Sequence, residues 1–178
     1  MVLWINEQEV DELLDFDTAI KAVEDAFKLL AEGKAVNTPR RRTMTQGAVL
    51  HVLQGAVLGE YNVAGLKAYL STRRGARFVV LLFDIAGDLL AIVEADRLGQ
   101  IRTGAASAVA TKYMARRGSE ILGIVGSGRQ ARAQFEALVR VIDARLVKVY
   151  SKTKSHAEEF AEYNATSCPR APQTPLGN

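Results

Sequence analysis

Six residues, Gly-Ser-Gly-Arg-Gln-Ala at 126–131, constrain the fold of this chain more than any other segment. An apolar run of strand length, 121–125, leads directly into them, and apolar residues at helical spacing follow. A second apolar run lies at 146–150. The order strand, glycine turn, helix, strand predicts the start of a Rossmann unit. The alternative is an ordinary glycine turn between a strand and a helix.

A Rossmann turn of this kind predicts a binding site for a dinucleotide. The first glycine permits the tight turn, the second lets the backbone approach the pyrophosphate, and the helix N-terminus supplies positive charge. The residues predicted to bind the cofactor are Gly126, Ser127, Gly128, Arg129, Gln130 and Ala131.

The end of the second strand bears on the choice between NAD and NADP. Folds that prefer NAD usually carry an acidic residue there, whereas this chain has Ser151, Lys152 and Thr153. Hydroxyl groups and a cation suit a 2′-phosphate, so NADP(H) is favoured over NAD(H). The alternative is that these residues form a solvated turn.

Residues before 118 follow a different pattern. Helical spacing begins after Asp17, four or five strand-like runs lie between 38 and 95, and small residues at 104–110 predict a closely packed helix. Residues 84–88, between the last two of these runs, are predicted to form a hairpin loop. We therefore predict an α/β chain with a mostly antiparallel α+β domain at 1–117 and a partial Rossmann domain at 118–166. Residues 167–178 contain three of the four prolines and are predicted to form an irregular tail.

Composition narrows the function classes. The net charge of +3 is too small to indicate nucleic acid by itself, and the single cysteine, Cys168, excludes an internal disulfide and cysteine-based metal clusters. His51 and His156 are isolated, so no metal site is predicted. No apolar run reaches the roughly 18 residues that span a bilayer, and no basic-then-apolar leader is visible. We expect a cytoplasmic protein without a membrane or nucleic-acid partner.

Three cations in the first 117 residues lie among apolar or small neighbours: Arg41, Lys67 and Arg102. If they converge, they form a site for an anionic substrate such as an α-carboxylate. The alternative is that each is an ordinary surface cation.

With these residues in view, the chain resembles the ornithine cyclodeaminase/mu-crystallin family over roughly residues 1–163. The matching stretches are T-P-R-R at 38–41, G-L-K at 65–67, V-V-L-L-F-D-I-A-G-D-L-L-A-I-V-E-A-D at 79–96, I-R-T-G-A-A-S-A-V-A-T-K-Y-M-A at 101–115 and I-L-G-I-V-G-S-G-R-Q-A-R-A-Q at 121–134. The resemblance implies an N-terminal substrate-binding and dimerisation domain, a Rossmann domain that binds NAD(P), and a homodimer.

The resemblance also implies roles for individual residues. Arg41 and Arg102 would bind the substrate carboxylate, with Arg40 and Arg42 as alternatives to Arg41 because the register is ambiguous. Lys67 would be the active-site lysine, which contacts the substrate and can help in proton transfer. Lys67 and Arg102 are the predicted catalytic residues. Thr103, together with Arg102, would contact the cofactor phosphate.

The implied activity is hydride transfer between a nicotinamide and the α-carbon of a small amino or imino acid, as in alanine dehydrogenases and ketimine reductases. His51 stands near the position where cyclodeaminase members carry a glutamate, which argues against ornithine cyclisation. Ornithine cyclodeaminase and a non-catalytic, mu-crystallin-like NADP(H)-binding protein remain the alternatives. The family pattern continues beyond this sequence, so we expect an incomplete Rossmann domain and consider a dimerising fragment without catalysis as a third alternative.

Overall fold

A computed structural model describes residues 1–167 and 173–175 of the chain. Packing divides it into two compact units, Met1–Asp15 with Glu24–Gly99 and Phe16–Val23 with Gln100–Asn178. The elements, in chain order, are β1 (Leu3–Ile5), α1 (Glu7–Leu13), α2 (Phe16–Ala31), β2 (Ala35–Thr45), β3 (Ala48–Val57), β4 (Val63–Thr72), β5 (Gly75–Asp84), β6 (Leu89–Glu94), α3 (Asp96–Met114), β7 (Ile121–Val125), α4 (Arg129–Leu138), β8 (Leu146–Tyr150), α5 (Lys154–Ser167) and β9 (Gln173–Pro175).

The first unit contains a six-stranded sheet in the order β1-β6-β5-β4-β3-β2. All neighbours are antiparallel except β1, which runs parallel to β6. Short turns join β2 to β3 and β5 to β6, and glycines occupy the left-handed positions they require, Gly47 at φ +83° and Gly87 at φ +106°. The predicted antiparallel sheet and the hairpin loop at 84–88 are confirmed.

Helix α3 starts against the short helix α1. The carboxylate of Glu7 accepts hydrogen bonds from the backbone N–H groups of Asp96 (2.7 Å) and Arg97 (2.8 Å). These are first-turn donors that have no partner within the helix, and a negative charge is favourable at that end. The Arg97 guanidinium also pairs with Asp11 at 2.6 Å. The start of α3 is thus held in place within the first unit.

The second unit contains a parallel sheet in the order β7-β8-β9, with β8 in the centre. This is the strand order of the first half of a Rossmann sheet. Phe135 of α4 and Phe160 of α5 are fully buried against β8 residues Val147 and Val149, and the two rings meet edge to face at 6.4 Å. The predicted strand, turn, helix, strand succession is confirmed.

Small residues in α3 allow a close approach to α4, as predicted. A Cβ added at Gly104 would overlap the backbone carbonyl oxygen of Ala133 and lie 3.1 Å from the Cβ of Ala137. Glycine is unfavourable inside a helix, but here it leaves room for the neighbouring backbone. Packing assigns Gln100–Met114 to the second unit and the first turn of α3 to the first, which differs from the predicted division near residue 118.

The irregular tail predicted for residues 167–178 is wrong at two places. Ser167 ends α5, and Gln173–Pro175 form β9, which pairs with β8 from Val147 to Val149. A strand of three residues is too short to show a recognisable alternation of side chains. It forms through backbone hydrogen bonds to the neighbouring strand, which the local sequence does not reveal. Residues 168–172 and 176–178, including Cys168, lie outside the described residues.

Candidate active site

The glycine turn after β7 is held against the end of β8. Gly126 adopts φ +107°, a left-handed conformation that favours glycine, and its N–H donates to the carbonyl of Tyr150 at 2.8 Å. The Ser127 hydroxyl donates to the Ser151 hydroxyl at 3.0 Å. The turn and the strand end that sequence reasoning assigned to one cofactor site are therefore in contact within the second unit.

Gly128 is the N-cap of α4, and no side chain caps the first turn of this helix. Its backbone is extended (φ −81°, ψ −177°), and a Cβ added there would meet no atom within 4 Å. Neither the conformation nor the packing within the described residues therefore requires glycine at this position. The glycine keeps open the space in front of backbone N–H groups that point out of the helix N-terminus.

A cleft of about 440 Å³ adjoins this open helix end. Its lining includes Gly126, Gly128, Gln130 and Ala131, four of the six residues predicted for the cofactor site. Uncapped N–H groups and the partial positive charge of a helix N-terminus bind phosphate groups. The donors and the empty space fit the pyrophosphate of a dinucleotide.

The remaining predicted cofactor residues lie around this end of the sheet or on α3. Ser151 is half-buried, whereas Lys152 and Thr153 are exposed beyond β8. Arg129 is exposed in the first turn of α4. On α3, Arg102 is exposed and Thr103 is half-buried.

Lys67 lies in the middle of β4 and is half-buried. Its Nζ donates to the carbonyl of Ala95 at 3.1 Å and lies 4.7 Å from the centroid of the Phe78 ring. The ring face and the carbonyl oxygen both stabilise a positive charge. The ammonium group is therefore held in a defined position, unlike that of an ordinary surface lysine.

Three aromatic side chains form a row across β3, β4 and β5 beside Lys67. His51 is paired with Tyr69, and Tyr69 with Phe78. The His51 and Tyr69 rings stack at 4.3 Å with 8° between their planes, and Tyr69 meets Phe78 at 4.6 Å. The row thus runs from the imidazole to the ring that carries the Lys67 ammonium.

The hydrogen bonds of His51 indicate its tautomer. The Ser71 hydroxyl donates to the carbonyl of Val49 at 3.3 Å, so its oxygen can accept the Nε2–H of His51 at 3.1 Å. Nδ1 then carries a lone pair, and it is buried without a hydrogen-bond partner among the described residues. Burial lowers the pKa of His51, and the positive charges of Arg42 and Arg40 lower it further.

Strand pairing separates the three consecutive arginines of β2. Arg42 is paired with His51, whereas Arg41 is paired with Val52. Lys67 is paired with Leu53, two residues from His51, so Lys67, His51 and Arg42 share one face of the sheet. Arg41 lies on the opposite face. The pairing therefore favours Arg42 over Arg41, whereas Arg40 lies in the irregular stretch between Thr38 and Arg41 and has no paired residue in β3.

Sequence reasoning missed the contribution of Phe78 and Tyr69 and treated His51 as isolated. In the sequence, these three residues show only the alternation of side chains along three separate strands. That alternation brings them together only when the pairing of the strands is known. Arg102 belongs to the second unit and Lys67 to the first, so their convergence with an arginine of β2 stays a prediction.

The part of the chain that the structure describes has neither a metal-binding cluster nor a membrane-spanning helix. It contains no group of three or more His, Cys, Asp or Glu side chains placed to hold a metal ion. None of its helices has the length and apolar character needed to cross a membrane.

Proteins of known activity resemble this chain in sequence and in structure. The alanine dehydrogenase of Archaeoglobus fulgidus is 36% identical over 169 residues, which cover 90% of this chain and 52% of that protein. The structure of an archaeal alanine dehydrogenase dimer with bound NAD superimposes with a TM-score of 0.91 at 31% identity, covering 99% of this chain and 56% of that one. The Δ1-pyrroline-2-carboxylate reductase of Thermococcus litoralis, in complex with NADH and L-proline, gives 0.90 at 27% identity, with coverages of 99% and 57%.

The chain thus spans about half the length of the relatives it matches. The model of the ornithine cyclodeaminase/mu-crystallin family matches residues 2–168, nearly the whole described chain. The resemblance drawn from the sequence motifs is confirmed, and the chain belongs to the ornithine cyclodeaminase/mu-crystallin family.

Proposed function

We propose that the protein is an NAD(P)-dependent oxidoreductase that transfers hydride between a nicotinamide and the α-carbon of a small amino or imino acid. The observation that carries the proposal is the uncapped N-terminus of α4 behind Gly126 and Gly128, which is open to a pyrophosphate. The held ammonium group of Lys67 gives a second, chemically suited centre. The alanine dehydrogenase and pyrroline-carboxylate reductase relatives act on substrates of this class.

The nicotinamide supplies or accepts the hydride when it is bound. In this proposal the first-turn N–H groups of α4 hold the pyrophosphate, and Thr103 with Arg102 contacts a cofactor phosphate. Arg102 and one arginine of β2, Arg41 or its alternatives Arg40 and Arg42, bind the substrate carboxylate, because a guanidinium can donate two parallel hydrogen bonds to it. Such a clamp orients the α-carbon before transfer.

Lys67 is the proposed catalytic residue that faces the nitrogen-bearing centre. An ammonium group within hydrogen-bonding distance can stabilise developing negative charge there or donate a proton. His51 lacks the carboxylate that cyclodeaminase members carry near this position, and its lowered pKa favours the neutral imidazole. A neutral imidazole does not replace the charge of a carboxylate, which supports a dehydrogenase or imine reductase over ornithine cyclisation.

We further propose a preference for NADP(H) over NAD(H). Lys152 and Thr153 are exposed beyond β8, and residues 151–153 include no carboxylate that would repel a 2′-phosphate. The archaeal alanine dehydrogenase and the Thermococcus litoralis reductase were solved with NAD and NADH, respectively. Measuring how NADPH and NADH compete for the site tests this preference, in which the chain would differ from those two relatives.

A homodimer is the proposed assembly, and the archaeal alanine dehydrogenase relative is itself a dimer. Leu50 and Leu70 are paired on the sheet face opposite Lys67 and are 38% and 46% exposed. Apolar side chains paired on an open sheet face suit contact with a second copy. Sedimentation velocity at micromolar concentration tests this assembly, and a monomer would contradict it.

Cytoplasmic localisation stays a prediction from the sequence.

The activity is tested by following the oxidation of NADPH and NADH with pyruvate plus ammonia and with Δ1-pyrroline-2-carboxylate. We expect turnover with at least one of these substrates, and we expect Lys67→Met to abolish it while the dissociation constant of the cofactor changes less than about twofold. Proline formation from ornithine without net change in the nicotinamide would instead identify a cyclodeaminase. Cofactor binding without any turnover would identify a binding protein.

A further inference from the structure

The ammonium group of Lys67 occupies a space with three defined sides. The carbonyl of Ala95 accepts its hydrogen bond at 3.1 Å, and the Phe78 ring centroid lies 4.7 Å away. The third side is Gly99 of α3, where an added Cβ would lie 2.7 Å from Nζ. A carbon and a nitrogen that are not bonded do not approach so closely, so a side chain at residue 99 and the observed position of Nζ exclude each other.

Neither the backbone conformation nor another Cβ contact within the described residues explains a glycine at this position. Gly99 is buried in the first turn of α3, and its N–H makes the regular helical bond to the Ala95 carbonyl at 3.1 Å. Its φ lies outside the left-handed range, so any residue could adopt the conformation. Outside the helix backbone and the chain neighbours, Lys67 Nζ is the one described atom that an added Cβ would meet within 4 Å.

We propose that Gly99 is a positioning residue for Lys67: its missing side chain lets the ammonium group reach the Ala95 carbonyl and the Phe78 ring. Glycine disfavours a helix relative to alanine, so the chain accepts a less stable helix start in return for this lysine position. The inference deepens the proposed function, because it rests on Lys67 being the active-site lysine. The position of the Lys67 ammonium group against Ala95, Phe78 and Gly99 lies within the first unit and can be tested without measuring turnover.

Gly99→Ala should move the ammonium group without unfolding the protein. The atom in the way is the end of a flexible side chain, so Lys67 can rotate away, whereas a backbone neighbour could not. Alanine also favours the helix. We therefore expect the thermal midpoint of Gly99→Ala to equal or exceed that of the wild type, while the ammonium group loses its contact with the ring.

The position of Lys67 can be read by NMR in protein labelled with ¹³C at lysine Cε, with Lys67→Arg used to assign the signal. Protons near the face of an aromatic ring resonate upfield, so the ε-methylene of Lys67 should be shifted by Phe78. Phe78→Leu calibrates the position of the signal without the ring. We expect Gly99→Ala to lose at least half of the upfield shift. An unchanged shift in Gly99→Ala, or a loss of folding, would overturn the inference.

The kinetic arm measures imine reduction by wild type and Gly99→Ala with the same cofactor. Because small misplacements of a catalytic group are costly, we expect kcat to fall about tenfold to a hundredfold with an unchanged cofactor dissociation constant. A displaced Lys67 signal with wild-type kcat would overturn the catalytic part of the inference. If the wild type itself shows no turnover, the proposed function fails, and the methylene shift still decides whether Gly99 positions Lys67.

Discussion

Replacing Gly104 with alanine should separate α3 from α4 and destabilise the second unit. The new Cβ would overlap the Ala133 carbonyl oxygen, lie 2.9 Å from the carbonyl carbon and lie 3.1 Å from the Ala137 Cβ. Carbon atoms in contact prefer about 3.5–4.0 Å, so the helices would have to move apart by roughly half an ångström or more. Both neighbours belong to α4, and neither can rotate out of the way.

The magnitude follows from two opposing terms. Overpacking of this kind typically costs about 1–3 kcal/mol, and replacing a helical glycine by alanine gains about 1 kcal/mol. Because the obstructing groups are backbone and Cβ atoms of α4 that cannot rotate away, the overpacking cost should lie in the upper part of that range, at about 2–3 kcal/mol. We therefore expect the free energy of unfolding to fall by about 1–2 kcal/mol. Urea denaturation followed by circular dichroism measures this change. Gly99→Ala is the matched control, because it is the same substitution in the same helix but faces a flexible side chain. A Gly104→Ala variant as stable as the wild type would refute the packing argument.

Three further changes test the cofactor site and the aromatic row. Gly128→Val fills space that no described atom occupies, so it should cost only the roughly 1 kcal/mol of a poorer N-cap, while the dissociation constant of NADPH, measured by calorimetry, rises at least about tenfold. Equal affinity would contradict the phosphate site. Lys152→Glu should lower the ratio of NADPH to NADH affinity by about tenfold, since a charge-assisted hydrogen bond is worth about 1.5–3 kcal/mol. Because the pKa of His51 is lowered on folding from 6.5, the unfolded chain binds the proton more readily, and stability should fall as the pH drops below 6.5. His51→Phe keeps a ring against Tyr69 and removes this titration, so urea denaturation should show a smaller acid-induced loss in that variant; an identical loss would exclude His51 as its source.

Turns and close-packed helix segments could be predicted where the residues of one short segment are enough to specify them. The turn at 126–131 is one example, because Gly126 must adopt a positive φ and Gly128 must leave the helix end open, whatever surrounds them. The hairpin at 84–88 and the small residues of α3 are others. These features depend on backbone conformation and side-chain size at neighbouring positions, which a sequence displays directly.

The site around Lys67 could not be predicted in the same way. Sequence motifs singled out the lysine, but its partners Phe78 and Gly99 come from β5 and α3, and no local pattern connects them. Arg42 shares the face of Lys67 and Arg41 does not, because Arg42 is paired with His51 and Arg41 with Val52, after a register shift between Thr38 and Arg41. A shift of one residue turns a side chain to the other face, so strand alternation alone left three arginines open.

The amino-acid sequence by itself determined the family, the antiparallel sheet and the glycine turn of a Rossmann unit, because these follow from periodicity and from motifs with fixed spacing. The tertiary structure decided which groups surround the lysine ammonium, which arginine shares its face, and that residues 173–175 pair with β8. These outcomes depend on contacts between distant segments. Strand register and helix packing set such contacts, and both are determined by the whole fold rather than by any one segment.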